Sequence, residues 1–327
     1  VYFCGNLKAH MKVIDIINSS KKTVFSFELL PPLKGNDAGK IYRTIEGLLD
    51  YAPQYINITT HRDEVEFKEM PDGSIVKRTV RKRPGTVAIA ASIQYKYNIP
   101  VVPHILCGGF TKSETEYVLI DLNFLGIENV LALRGDGIKN QHVFKPEPNG
   151  HANANELVTQ IAGLKKGKYL EENLKNNSPL DFCVGVAGYP EKHFEAPNLD
   201  LDLAFLKQKV DAGADYIVTQ MFFDNQVYFD FVARCRKMDI NVPIIPGIKP
   251  INLKSQLTVL PKIFNIDLPQ ELATELATCK NNQEAREIGT EWAIHQAKSL
   301  VANNAPSMHI YTYGISDNVK EIVKAVF

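Results

Sequence analysis

The chain has 327 residues, 37 acidic and 37 basic side chains, and 45% hydrophobic residues, the profile of a soluble globular protein. Zero formal net charge gives no electrostatic drive toward nucleic acid or a membrane surface, and no apolar stretch approaches the roughly 18–20 residues that a bilayer span needs. Five cysteines without a close pair exclude a disulfide framework and a zinc knuckle, and Cys107 and Cys183, beside apolar runs, read as packed core thiols.

Residues 1–10 precede Met11 and lack the apolar segment of a signal peptide, so they are expected to be a leader or an expression remnant, with 11–327 as one domain in the cytosol. The first strand is expected at 24–27. It ends in Glu28, then Leu29-Leu30, then Pro31-Pro32, which stops regular structure. Further strands are expected at 55–59, 101–105, 130–133, 182–186, 216–219, 244–245 and 309–311. Many are apolar on both faces, as parallel strands covered by helices are. Helices are expected at 41–51, at 113–125 after the N-cap candidate Thr111, near 155–164, at 198–212 before the stop residue Gly213, and at 227–238. Eight strand–helix units in this length predict a single (β/α)8 barrel. A doubly wound dinucleotide fold would place a glycine fingerprint after its first strand, and Leu29-Leu30-Pro31-Pro32 stands there instead. Residues 61–86, with Met70-Pro71-Asp72-Gly73-Ser74 at their centre, read as a hairpin inserted after strand two, and residues 135–179 as a long excursion after strand four.

In such a barrel the residues after each strand share one mouth. Here they are Glu28, Thr59 and Thr60, His104, Arg134-Gly135-Asp136, Ala187-Gly188-Tyr189, Gln220 and Pro246-Gly247. The set is too polar for core packing and too varied for a metal site, and no serine nucleophile stands beside a histidine base. Glu28, near apolar walls, is expected to have a raised pKa suited to a proton donor, or else to cap a loop or pair with a lysine. Arg134 suits a phosphate or a planar ring, or an ion pair, and Gly135 lets backbone approach a ligand. Asp202 and Lys209, two helical turns apart, can share a face toward His193. Gln220 both donates and accepts, which suits a pterin or nicotinamide edge. Phe222 and Phe223 read as packing or as a stacking wall.

These motifs, in order, resemble one family. Phe25-Ser26-Phe27-Glu28 with Pro31-Pro32, Pro103-His104, Ala132-Leu133-Arg134-Gly135-Asp136, Tyr189-Pro190-Glu191-x-His193, Lys209-x-Asp211-Ala212-Gly213-Ala214, Thr219-Gln220-x-Phe222-Phe223-Asp224, Ile245-Pro246-Gly247-Ile248 and His309-Ile310-Tyr311-Thr312 look like methylenetetrahydrofolate reductase across nearly the whole chain. The resemblance implies a barrel holding FAD non-covalently. NAD(P)H reduces that flavin and leaves, and 5,10-methylenetetrahydrofolate then enters the same site and is reduced to 5-methyltetrahydrofolate, the methyl donor for methionine biosynthesis. It also implies a homo-oligomer.

Residue by residue, the resemblance makes Glu28 the general acid. Asp136 becomes the acid near flavin and folate, Gln220 the amide touching folate and nicotinamide, Gln256 a folate contact, and Thr59 a contact to the nicotinamide dinucleotide. It makes Thr60, His104, Arg134, Gly135, Ala154, Tyr189, His193, Ala196, Asp202 and Lys209 flavin-binding positions. The chain departs from the family pattern at four places. Leu260 replaces a stacking phenylalanine, leaving NADH and NADPH equally open. Asn153 stands where an aromatic is common. Thr312-Tyr313-Gly314-Ile315 lacks the family's folate-binding arginine, and the basic residues of 61–86 are candidates to meet the folate glutamate tail instead. The chain also stops at Phe327, short of the regulatory domain that binds S-adenosylmethionine in animal members, so no inhibition by that ligand is expected. A flavin-free barrel that presents methylfolate to a corrinoid methyltransferase is the alternative reading of the same mouth.

Overall fold

The computed structural model describes residues 11–37, 39–137, 144–312 and 317–327. The expected leader at 1–10 and the segment Tyr313-Gly314-Ile315 lie outside these residues. The first strand, β1 (Val24–Leu29), runs past its predicted end and carries Glu28 inside the ladder. Its alternation sets the plan of the molecule. Phe25, Phe27 and Leu29 pack outward in one core with helix residues such as Ile41 and Ile45, while Ser26 and Glu28 face inward.

After β1 come β2 (Tyr55–Ile58), β3 (Glu64–Glu69), β4 (Ile75–Val80), β5 (Val101–Leu106), β6 (Asn129–Leu133), β7 (Cys183–Gly188), β8 (Tyr216–Met221), β9 (Ile244–Ile248) and β10 (Ser307–Tyr311). Eight of these, all but β3 and β4, pair in parallel and close in the order β1-β10-β9-β8-β7-β6-β5-β2. The (β/α)8 barrel is therefore present. All eight predicted barrel strands form, most of them one to three residues longer than the apolar runs alone suggested. Most of the extra residues, Glu28, Gly188 and Gly247 among them, lie at the C-terminal ends, while β6 and β10 gain theirs at the N-terminal end.

β3 and β4 form the inserted antiparallel hairpin, closed by Met70 N donating to Ser74 O at 2.8 Å and by Asp72 accepting from the Ser74 backbone at 3.0 Å.

The helices are α1 (Val13–Ser19), α2 (Gly39–Glu46), α3 (Thr86–Tyr97), α4 (Lys112–Phe124), α5 (Ala154–Leu164), α6 (Leu199–Asp211), α7 (Asn225–Lys237), α8 (Gln256–Phe264), α9 (Gln270–Thr278), α10 (Asn282–Ala302) and α11 (Asp317–Val326). The helix predicted at 41–51 breaks into α2 and a short 3-10 turn at Leu49–Tyr51, because Gly47 interrupts it and Ala52 caps the turn in the left-handed region. Thr111 caps α4 as predicted. It accepts from Glu114 N while the Glu114 carboxylate returns to Thr111 N, a capping box worth about 1 kcal/mol.

The short α1 gives the barrel its direction. Val13, Ile16 and Ile17 pack against Tyr55, Val102, Leu131, Cys183, Tyr216 and Ile245, all inward residues near the strand N-termini. Val13 N also donates to Asn129 Oδ1 at 2.7 Å. One end of the barrel is thus plugged with apolar side chains, and polar chemistry is confined to the other end, where the strands finish. Cys107, Cys183, Cys235 and Cys279 are buried free thiols, which bears out the core reading of the first two. No described helix is long and apolar enough to cross a membrane.

Candidate functional site

At the open end Glu28 stands between two buried imidazoles. His104 Nε2, from β5, lies 3.8 Å from Glu28 Oε2, and His309 Nε2, from β10, lies 3.9 Å from the same oxygen. Ser26 Oγ sits 2.9 Å from His309 Nδ1 and fixes that ring, while the Thr312 hydroxyl donates to the Glu28 backbone carbonyl at 2.6 Å. The strand pattern explains the meeting. Ser26 and Glu28 are inward on β1, and the barrel register places Ser26 beside His309 and Glu28 beside Tyr311.

The expected rise in the Glu28 pKa is overturned. Burial pushes the carboxyl up, but the neighbouring His309 imidazole and the charges of His104 and His61 outweigh it, so Glu28 is held below the ordinary carboxylate value. Apolar walls alone would have raised it. The imidazoles, which strand-end reading did not set against it, reverse the sign.

His104 is only 4% exposed and its Nε2 has no hydrogen-bond partner among the described residues. Burial pulls its pKa down from 6.5 to about 4, against an opposing pull from Glu28. Between those values the unfolded chain binds a proton that the folded chain refuses, so stability must fall as pH drops through this window. The expected loss is about 3 kcal/mol between pH 6.5 and 4, levelling off below it. Glu28 has the same sign and loses its contribution below its ordinary value. Urea midpoints measured across this range should show the slope, and His104→Gln should remove the part above pH 4.5.

The other predicted residues gather round this centre. Thr60 Oγ1 donates to the His104 carbonyl at 2.5 Å, and Thr59 Oγ1 to the Leu29 carbonyl at 3.3 Å, so both threonines close the β1–β2–β5 sector. Gly135 follows β6 with φ +80°, a left-handed turn that favours glycine, and Asp136 beside it is exposed at the rim. Arg134 pairs with Glu195 and stacks 4.9 Å over Phe144. From α6, Asp202 accepts from His193 N at 2.9 Å in the loop after β7, and Lys209 donates to the Ala187 carbonyl at 2.5 Å near the end of β7 itself. Burial lowers Lys209 to about 8, with Asp202 opposing that fall. Within the loop Tyr189 meets His193 edge-on at 4.7 Å, and Ala196 is buried, its N bonded to the His193 carbonyl. Ala154 opens α5 on the same side, after Asn153.

The amides are engaged within the protein. Gln220 Oε1 accepts from Met221 N at 2.9 Å, and Gln256 Oε1 accepts from Asn252 N and Leu253 N at 2.7 and 3.1 Å, tying the turn that leads into α8. Phe222 and Phe223 are buried, and Phe222 stacks on Tyr228 at 5.4 Å, so packing is what they do. Leu260 is buried as well, in a cluster with Met221, Phe223 and Ile251. In the hairpin region Arg81 pairs with Asp63, Lys82 with Glu64 and Glu66, and Arg83 donates to the Pro31 carbonyl, while Lys68, Lys77 and Arg78 are exposed on its strands.

Strand-end reading missed four groups. His61 lies past β2 and couples to Glu28. His309 is an inward residue inside β10, where parity along the strand was the available signal. Glu191 accepts from Asp267 N at 2.9 Å, and burial with the charges of Asp267 and Asp224 raises it to about 7. Lys249 directly follows β9 and is 3% exposed; a lysine ending an apolar run was its signal. Among the described residues no three of His, Cys, Asp and Glu are placed to hold a metal ion.

A closed parallel barrel, plugged at the strand N-termini and lined at the C-termini by an acid, histidines and cations, defines a (β/α)8 barrel with a candidate site at the C-terminal mouth. The model of the methylenetetrahydrofolate reductase family matches residues 12–326, and the chain belongs to that family. It is 33% identical over 318 residues to methylenetetrahydrofolate reductase (NADH) 1 of Arabidopsis thaliana, covering 93% of this chain and 49% of that protein. It is 30% identical to the probable methylenetetrahydrofolate reductase (NADPH) of Caenorhabditis elegans, covering 96% of this chain and 43% of that protein. It is 28% identical to 5,10-methylenetetrahydrofolate reductase of Salmonella typhimurium, covering 88% and 85%. The chain thus spans about half the length of the plant and nematode relatives. Among solved structures, a Clostridium thermocellum protein described as binding two copies of 5-methyl-5,6,7,8-tetrahydrofolic acid shares the fold, with a TM-score of 0.56 at 13% identity over 95% of this chain and 96% of that one.

Proposed function

We propose that this chain reduces 5,10-methylenetetrahydrofolate to 5-methyltetrahydrofolate with NADH or NADPH as donor and FAD as cofactor. The observation that carries the proposal is Glu28 held between His104 and His309 at the open end of a barrel of this family. The residues present fit a flavin. Gly135 offers close backbone approach at positive φ, Arg134 and Lys209 bring cations, and the buried His104 Nε2 has no hydrogen-bond partner among the described residues. Thr60, Arg134, Gly135, Ala154, Tyr189, His193, Ala196, Asp202 and Lys209 would hold it, with Thr59 toward the nicotinamide dinucleotide. When bound, the flavin supplies hydride transfer between nicotinamide and folate.

The chain's own residues supply the proton and the charge. Glu28 is a carboxylate in the free chain, so it must take up a proton as ligand displaces water from the mouth. It then delivers that proton to the folate nitrogen from which the methylene bridge opens. Asp136 at the rim favours the cationic iminium that results. Gln220 and Gln256, whose side-chain oxygens are now bonded to backbone, present amide hydrogens to the pterin.

The test is reconstitution. Purified protein incubated with FAD should retain the flavin's visible band through gel filtration and then oxidise NADH or NADPH in proportion to added methylenetetrahydrofolate. Colourless protein that binds methyltetrahydrofolate without FAD would overturn the reductase reading in favour of a folate-presenting barrel.

A further inference from the structure

We propose that Lys249 is a positioning residue that acts through Glu28, its ammonium group holding the Glu28 side chain as a carboxylate until substrate fills the mouth. The placement follows from strand parity. On β9, Ile245 packs with the inward plug cluster, and a Cβ on Gly247 would run into the ring of Tyr311, so the next inward position is Lys249. Register sets its height. Ile310 of β10 stands level with Ile248, and Tyr311 stands level with Glu28 of β1. Lys249 and Glu28 therefore flank Tyr311 at one level of the barrel, on either side of β10.

Lys249 is 3% exposed, and its Nζ lies 3.5 Å from its own Pro250 carbonyl. An ammonium group kept out of water in this way needs a compensating charge. Burial lowers Lys249 to about 8, and the charge it feels in opposition comes from Glu28. The groups that hold Glu28 down are His309 from β10, His104 from β5 and His61 from the segment after β2, and Glu28 is in turn the charge that opposes burial at Lys249 from the end of β9. Burial keeps His104 neutral at pH 7, whereas a lysine near 8 is still largely charged there. Lys249 accordingly supplies a lasting positive charge at this level.

The catalytic consequence rests on the reductase reading, but the electrostatic one does not. In protein labelled with 13C at glutamate carboxyls, the Glu28 signal is assigned by its loss in Glu28→Gln and followed against pH. Lys249→Met is expected to raise the Glu28 midpoint by about one pH unit, and Lys249→Arg to restore it. A folded Lys249→Met protein with an unchanged midpoint overturns the proposal. Should Lys249→Met fail to fold, the reciprocal titration decides. In Glu28→Gln, Lys249 followed through its 13Cε shift should titrate below about 8, and an unchanged value overturns the proposal. In active enzyme, Lys249→Met should move the alkaline limb of folate reduction, where protonated Glu28 is lost, to higher pH and leave NAD(P)H oxidation by a small quinone unmoved; the absence of such a shift counts against it. A wild-type protein without reductase activity defeats the reductase reading alone, and the carboxyl titration still decides the role of Lys249.

Discussion

Glu28→Gln should lower methylenetetrahydrofolate turnover by about 100- to 10,000-fold, the range expected when a positioned general acid is removed. The same variant should oxidise NAD(P)H at close to the wild-type rate when a small quinone replaces folate as acceptor, because that reaction needs no proton at the folate nitrogen. Glutamine keeps the shape of the side chain and can still meet His309 and His104, so the barrel should remain folded. The geometry adds a second, sharper readout. Glu28 sits below the ordinary carboxylate value in the free chain and must therefore gain a proton when folate binds. Calorimetric titration with methyltetrahydrofolate, repeated in buffers of different ionisation enthalpy, should show proton uptake in wild type and none in Glu28→Gln. Equal uptake in both, or full folate turnover by the variant, removes Glu28 from the role of acid.

Gly247→Ala should be the most damaging small change in the barrel. The new Cβ would lie 2.3 Å from the Thr219 carbonyl oxygen and 2.7 Å from the Tyr311 ring, distances at which something must move. Neither neighbour is a flexible tip. The Thr219 carbonyl is β8 backbone and accepts from the Tyr311 hydroxyl at 2.7 Å, while Thr219 Oγ1 accepts from Gly247 N at 2.9 Å. Tyr311 in turn meets His309 edge-on at 4.9 Å and stands level with Glu28. Overpacking here is expected to cost about 3 kcal/mol in urea unfolding, and more than tenfold in activity as Tyr311 shifts against its neighbours. Gly163→Ala in α5 is the control. Its Cβ would meet only ordinary contacts at 3.6–3.7 Å, so stability should stay level or rise by up to about 1 kcal/mol. Gly247→Ala no less stable than that control would show that the barrel yields at this contact.

The barrel was legible because its strands are apolar on both faces and its helices carry one-sided patterns, which mark layers without any three-dimensional information. The N-cap at Thr111 and the hairpin turn at 70–74 were legible for the same reason, since both are chemistry over a few consecutive residues. The α3 helix was missed because its apolar residues are spread round the cylinder and give no stripe. α8, α9 and α10 went unread in a region where short strand β9 was recognised by only two of its residues.

At the site, the sequence alone supplied the residues at the C-terminal ends of strands, Glu28, His104, Arg134 and Gln220 among them, because ending an apolar run is a local signal. It also supplied the ordered motifs from which the family membership follows. Only the tertiary structure set His309 and His104 against Glu28 and Lys249 at its level, because these residues come from β1, β5, β10 and the end of β9, far apart in the chain. Barrel closure and strand register place them together, and Coulomb interactions at a few ångströms then decide the charge of Glu28. The sequence thus determined that an acid stands at the mouth, and the fold decided that this acid begins as a carboxylate.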